Sequence, residues 1–250
     1  MKISIITVCH NSVKTIRDTI ESVLKQTYRD IEYIIIDGNS CDGTVELVNS
    51  YSDRIDKFIS EPDSGMYNAL NKGIKLASGD VIGILNSDDF LYNEHVIRRI
   101  ADEFDRYGTD SVIGDVIFVR PDNFDKIVRY YSSAGFTPEK FKYGIMPAHP
   151  AFYVKRKCYE KYGLYKEDYR IGSDFDLLLR FLLIHKITYR YLELPFVTMR
   201  TGGKSNKSFF SNIIINKEIA RACRENGVKT NYFKIYSKYF YKVFEFFGNK

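Results

Sequence analysis

The chain has 250 residues, 44% of them hydrophobic and 28% charged, with a formal net charge of +5. That length buries one sizeable core, or a core plus a small appendage, and the composition excludes a disordered or fibrous chain. The modest positive balance suits anionic small ligands or an anionic membrane surface and makes no case for nucleic acid.

Cys9, Cys41, Cys158 and Cys223 show no paired metal-ligand spacing. They read as reduced thiols, so a cytoplasmic location is expected. No apolar run approaches the length that spans a bilayer, and residues 1–8 are too short for a signal peptide.

Residues 3–8, β-branched and apolar on both faces, predict a buried parallel strand. Val13, Ile16, Ile20, Val23 and Leu24 then recur at helical spacing up to Gln26. Residues 31–36 predict a second strand, ending at the turn-rich stretch from Asp37 to Thr44, where Thr44 or Asp42 can cap a helix. Residues 56–60 predict a short strand, residues 66–75 a helix and residues 81–85 a fourth strand. Alternating strands and helices imply a parallel sheet with right-handed crossovers. The first turn holds no glycine-rich phosphate loop, which argues against a dinucleotide or P-loop site.

In such sheets ligands bind beyond the carboxyl ends of the strands. Thr7 and Asn11 lie beyond the first strand, Asp37 beyond the second, and Asp88 and Asp89 beyond the fourth. Adjacent carboxylates are poor neighbours unless a cation lies between them and an anion. Hard oxygen ligands suit Mg²⁺ or Mn²⁺, ions that commonly bridge carboxylate and phosphate. A turn or helix cap is the alternative reading of each acid.

Farther on, residues 110–119 predict a strand whose Asp115 either faces a bound ligand or sits in a surface turn. Residues 121–137 carry no clear periodicity, and residues 146–154 end in a strand after His149, a candidate pocket wall. Ser173 is a candidate N-cap for a helix with Asp176 in its first turn and Leu177, Leu178, Phe181 and Leu182 on its buried face. Residues 196–200 predict an edge strand, followed by the glycine-bearing loop 201–205, where Arg200 and Lys204 are candidates to close over an anionic ligand, with a solvated hinge as the alternative. Residues 209–225 predict a helix. In the tail, Tyr232, Phe233, Tyr236, Tyr239, Phe240, Val243, Phe244 and Phe247 form an apolar helical stripe flanked by Lys234, Lys238 and Lys242. Such a stripe suits an anionic membrane surface or docks on the main domain.

Residues 7–11, 36–44, 61–69 and 71–73, Gly79-Asp80, and Asn86-Ser87-Asp88-Asp89, in that order and at those spacings, resemble the family 2 glycosyltransferases of the GT-A fold. The resemblance runs to about Arg200. It implies an α/β GT-A domain over residues 1–205, a mostly parallel twisted sheet flanked by helices, with residues 206–250 as a helical C-terminal extension. It implies an inverting, metal-dependent transfer of sugar from a nucleotide-diphosphate donor, UDP- or GDP-linked, to a saccharide or lipid-linked acceptor in cell-surface polysaccharide synthesis.

Asp37 then faces the nucleotide base, with Thr7, Cys9, Asn11 and Lys72 on the donor. Asp88 faces the ribose, and Asp89 holds Mg²⁺ or Mn²⁺. Ser87 stands where relatives carry a first acid. The family's general base falls on Asp174, with Asp176 as the alternative. His149 resembles a histidine that relatives carry in this region. A nucleotidyltransferase and a non-catalytic sugar-nucleotide-binding module are the rival readings.

Overall fold

The computed structural model of the protein describes residues 1–202 and 209–239. A single nine-stranded sheet runs in the order β3-β2-β1-β4-β8-β6-β9-β5, with β7 attached to β6. Its first half follows the predicted alternation: β1 (Ile3–Cys9), α1 (Ile16–Leu24), β2 (Ile31–Asp37), α2 (Thr44–Asn49), β3 (Lys57–Ser60), α3 (Met66–Leu76) and β4 (Val81–Ile84). Here β1 pairs in parallel with both β2 and β4, and β2 with β3.

The second half is mixed. It comprises β5 (Asp89–Leu91), α4 (Val96–Tyr107), β6 (Ser111–Arg120), β7 (Asn123–Tyr131), β8 (Phe152–Lys155), α5 (Arg156–Tyr162), α6 (Ser173–Leu178), β9 (Tyr189–Arg200) and α7 (Phe209–Glu225). β8 runs antiparallel to β4 and β6, β7 to β6, and β5 to β9, while β6 and β9 are parallel. The sheet is thus parallel where strands alternate with helices and mixed where hairpins and returns replace crossovers.

Strand residues alternate between two faces. Ile3, Ile5, Tyr33 and Ile35 pack under α1, α2 and α4; Ile6, Ile34, Ile36 and Ile82 pack under α3, α5, α6 and α7. Each such isoleucine, fully buried, contributes roughly 1.5–3 kcal/mol. Helix α3 comes close to β1 because Gly73 has no Cβ; one there would lie 2.4 Å from Ile6 Cγ2.

Several sequence expectations need correction. Strand β9 joins residues 189–200 into one strand flanked by β6 and β5, so it is not an edge. The unassigned stretch after Pro121 is β7, exposed on most of its length, which leaves it no alternating pattern to read. The N-cap of α6 is Gly172, and the buried Ser173 hydroxyl has no hydrogen-bond partner. In the tail a helix over residues 232–239 seats Ile235 fully in the core and leaves Tyr232, Phe233 and Tyr236 exposed. Residues 240–250, the rest of the predicted stripe, lie outside the described residues.

One buried acid ties the amino end of the sheet together. Glu32, 2% exposed, accepts hydrogen bonds from Ser4 Oγ (2.5 Å), Lys57 Nζ (2.8 Å), and the Ser78 N–H and hydroxyl (2.7 and 2.8 Å). Burial raises its carboxyl, but these donors outweigh burial and hold the pKa at about 2, against 4.5 for an ordinary glutamate. A depressed native pKa contributes stability above the unfolded value and loses it as pH falls through the folded one. Glu32→Gln is therefore expected to lower stability by about 1–3 kcal/mol at neutral pH. It should also flatten acid unfolding between about pH 4.5 and 2, as followed by circular dichroism. Equal acid profiles for the two proteins would refute this assignment.

Candidate active site

The sequence folds β1, β2 and β4 side by side, so their following loops converge at the point where strand order reverses, on either side of β1. Asn11, in left-handed conformation at φ 51°, fastens two of these loops. Its N–H donates to Ser40 Oγ (2.7 Å), and its Oδ1 accepts from the Cys41 N–H (3.0 Å). Ser12 Oγ meets Ser87 Oγ at 2.9 Å, joining the β1 loop to the β4 loop.

Asp37 sits at the end of β2, fully buried. Its carboxylate accepts from the Ser40 hydroxyl and N–H, from Ser60 Oγ (2.7 Å) and from Cys9 Sγ (3.4 Å). Burial works against its charge, but these hydrogen bonds outweigh it and hold the carboxyl below its usual range. Burial and then the Asp37 carboxylate push the Cys9 thiol well up, so it stays protonated as a donor. Thr7 lies inside β1, not beyond it, with its hydroxyl 3.2 Å from Tyr33 OH. Lys72 on α3 pairs with Glu61 (2.7 Å) and donates to the Pro62 carbonyl (3.0 Å).

Asp89 opens β5, a three-residue strand, instead of lying in a loop. Its N–H donates to the Asn86 carbonyl (3.1 Å), its own carbonyl accepts from Thr19 Oγ1 (2.6 Å), and its side chain accepts from Asn86 Nδ2 (3.1 Å). It is 1% exposed. Burial and the adjacent Asp88 carboxylate push its pKa up to about 8. A buried carboxylate raised by a second one is a hard-oxygen position short of positive charge, and its chemistry fits a divalent cation. No group of three or more His, Cys, Asp or Glu among the described residues forms a cation site from protein alone. Arg200 stands close by: it donates to the Asp88 carbonyl (2.5 Å), pairs with Asp18, and lies over the Phe90 and Phe124 rings. Lys204 lies outside the described residues.

Asp174, the second residue of α6, faces His149, whose Nδ1 lies 3.1 Å from Asp174 Oδ2. The other oxygen accepts from the Phe175 N–H at 2.8 Å. Tyr67 stands beside them: its hydroxyl donates to the Ile171 carbonyl and accepts from the Ser173 N–H at 3.2 Å. Burial and then the Asp174 charge push its phenol well up. Asp176 is situated differently. It is fully buried, with Arg180 Nε at 2.8 Å on one oxygen and Lys166 Nζ and Asn226 Nδ2, each at 3.0 Å, on the other. Both its oxygens are committed to structural partners, whereas Asp174 keeps an oxygen facing a titratable ring.

Asp115 is buried in β6, where it accepts from Tyr130 OH (2.6 Å), Tyr191 OH (2.8 Å) and the Ser133 N–H (2.7 Å). It is not a surface-turn acid; it pins β7 and β9 to β6. The His149–Asp174 pair is the feature that sequence reasoning missed. The residues are far apart in the chain, and α6 meets the turn His149–Ala151 only in the folded protein. Tyr67 carried a readable signal, as an aromatic in the first turn of α3 and inside the resembling stretch 61–69.

With Asp37 at the end of β2 and Asp89 opening β5, the sheet has the fold of the GT-A glycosyltransferases, to whose solved structures it is similar. The chain belongs to glycosyl transferase family 2, whose sequence profile matches residues 4–163. It is 28% identical over 206 residues to a PGL/p-HBAD biosynthesis glycosyltransferase of Mycobacterium bovis, covering 81% of this chain and 76% of the relative. Among solved structures it resembles Staphylococcus aureus TarS, with a TM-score of 0.69 at 18% identity, over 92% of this chain and 41% of TarS. The TarS fragment 1–349 in complex with UDP-GlcNAc gives 0.71 at 16% identity, over 92% of this chain and 68% of the fragment. The mannosyltransferase PcManGT of Pyrobaculum calidifontis, in complex with GDP-Man and Mn²⁺, gives 0.64 at 17% identity, over 90% and 63% of the two chains. This chain therefore spans about two-fifths of that TarS chain.

Proposed function

We propose that the protein is an inverting glycosyltransferase that moves a sugar from a UDP- or GDP-linked donor to a hydroxyl of a saccharide or lipid-linked acceptor in cell-surface polysaccharide synthesis. The observation that carries this reading is the Asp174–His149 pair, a carboxylate with an oxygen at 3.1 Å from an imidazole and no lysine or arginine described upon it. Family membership and the nucleotide-sugar complexes of the two structural neighbours support the donor class.

Asp37 is the acid beside the nucleotide base, framed by Cys9 at the end of β1 and by the Asn11 loop. Asp89, with Asp88 beside it, would hold Mg²⁺ or Mn²⁺. Such an ion supplies Lewis-acid neutralisation of the departing diphosphate. Asp174 Oδ2 takes the proton of the acceptor hydroxyl while that oxygen bonds to the anomeric carbon, and His149 orients the carboxylate. The bond from that carbon to the phosphate oxygen breaks, and its electron pair leaves with the nucleotide. One base and one displacement invert the anomeric centre; a double displacement needs a second carboxylate as nucleophile.

The test is nucleotide release from a panel of UDP- and GDP-sugars with saccharide and lipid-linked acceptors, and the anomeric configuration of the product by proton NMR. Release from one donor class with inverted product is expected. Donor binding without release would instead mark a binding module, and pyrophosphate production from a nucleoside triphosphate and a sugar phosphate a nucleotidyltransferase.

The acceptor side of the same reading lies at an anionic membrane surface, on its cytoplasmic face. No described helix is long and apolar enough to cross a membrane. Tyr232 and Phe233 are 52% and 85% exposed, with Lys234 next to them, which suits a headgroup layer. Because Ile235 is part of the core, point changes probe this better than truncation. Replacing Tyr232, Phe233 and Tyr236 together by serine is expected to cut co-sedimentation with phosphatidylglycerol vesicles at least about threefold, with donor hydrolysis retained. Undiminished sedimentation would remove the membrane surface from the reading.

A further inference from the structure

We infer that Glu218, on α7, is a positioning residue that sets the place of Asp174, an inference that rests on the reading of Asp174 as the base. Helix α6 is short and has no side-chain cap of its own. The backbone N–H groups that lead into it point away from the chain's local acceptors and onto Glu218. Its carboxylate accepts from the N–H of Arg170 (2.7 Å), of Ile171 (2.9 Å) and of Gly172 (2.7 Å). Three successive amides on one carboxylate fix both the position and the rotation of the strand of backbone that ends two residues before Asp174. Hydrogen bonds to a charged acceptor are worth about twice neutral ones, so the arrangement is stiff.

A second observation agrees. A Cβ on Gly172 would lie 3.1 Å from Glu218 Cβ and 3.3 Å from Ile215 Cδ1, so glycine is what admits α7 this close. Neighbouring contacts hold the same loop to the same helix. Glu225 accepts from Lys166 Nζ (2.9 Å) and Tyr169 OH (3.0 Å), and Asn226 reaches Asp176. Glu218 holds the three amides from Arg170 to Gly172, and the Tyr67 hydroxyl takes the next one, that of Ser173. Helix α7 lies outside the stretch matched by the family profile, so the device belongs to a part of the chain that the profile does not describe.

A base displaced by about an ångström loses much of its rate while donor contacts elsewhere persist. In the full-length protein, Glu218→Ala is expected to lower kcat for nucleotide release at least roughly tenfold, assayed with UDP-GlcNAc or GDP-mannose, whichever wild type turns over. The Kd for UDP or GDP should stay within twofold. In an Asp174→Asn background the same change should lower kcat no further, because its effect passes through Asp174. The ¹⁵N signals of the His149 ring report the contact with Asp174 without turnover, and they should move in Glu218→Ala as they do in Asp174→Asn.

Wild-type kcat, or wild-type ring signals, in folded Glu218→Ala overturns the inference, as does a full further loss in the double variant. If the alanine variant does not fold, Glu218→Gln keeps the shape and one oxygen for the amides. It is then expected to fall at least threefold in kcat with shifted ring signals, and unchanged values for both overturn the inference. Should Asp174→Asn itself retain activity, the base reading fails, while the His149 signals still decide whether Glu218 places Asp174.

Discussion

Asp174→Asn is expected to lower kcat by about 10²-fold or more while the Kd for donor nucleotide stays near that of wild type. Asparagine matches the shape of aspartate, so the Phe175 N–H keeps its 2.8 Å acceptor and α6 keeps its start. What is lost is the oxygen that faces His149 Nδ1 at 3.1 Å and can accept a proton from an attacking hydroxyl. Asp176→Asn makes the informative control. It removes the partner of Arg180 and Lys166 from a fully buried position, so it should lower Tm strongly, with the activity of the remaining folded protein less affected. Steady-state nucleotide release and calorimetric titration with UDP or GDP separate the two. Activity within a few-fold of wild type in Asp174→Asn would reassign the base.

Asp89→Ala is expected to abolish metal-stimulated turnover, a loss of about 10³-fold if the ion supplies several kcal/mol to the departing diphosphate. Donor binding in Mn²⁺ or Mg²⁺ should weaken as well. The same substitution should leave Tm nearly unchanged or raise it. Burial and the Asp88 carboxylate both oppose charge on Asp89, and alanine relieves that conflict at the expense of one hydrogen bond from Asn86. A carboxylate that costs stability while the site is without its cation is what a functional acid looks like. Wild-type turnover that is indifferent to EDTA would sink the metal assignment.

The first half of the sheet is legible because buried parallel strands read as continuous apolar runs, as residues 3–8 and 31–36 do, and α3 carries its own helical period. Strand β5 has no such signal: three residues become a strand only because Met199, Thr198 and Val197 lie opposite. Strand β7 reads as irregular because little of it is buried. The acids at the strand ends are visible in the sequence, but their surroundings are not. That Asp37 is wrapped by Ser40 and Ser60, or that Asp115 gathers Tyr130 and Tyr191, depends on which loops meet. For Asp176, Arg180 four residues on is a readable helical pair, whereas Lys166 and Asn226 arrive from other elements.

The pairing of β5 with β9 has a consequence for how the protein is made. Asp89 leaves the ribosome early, yet the strand it opens has no neighbour until residues 197–199 follow. The parallel strands β1 to β4 can assemble during synthesis, so the surroundings of Asp37 can form on a nascent chain. Asp89, proposed to hold the cation, and Asp174, the proposed base before which α7 docks, are seated only once residues 197–225 have emerged. Such long-range closure makes for slow final folding.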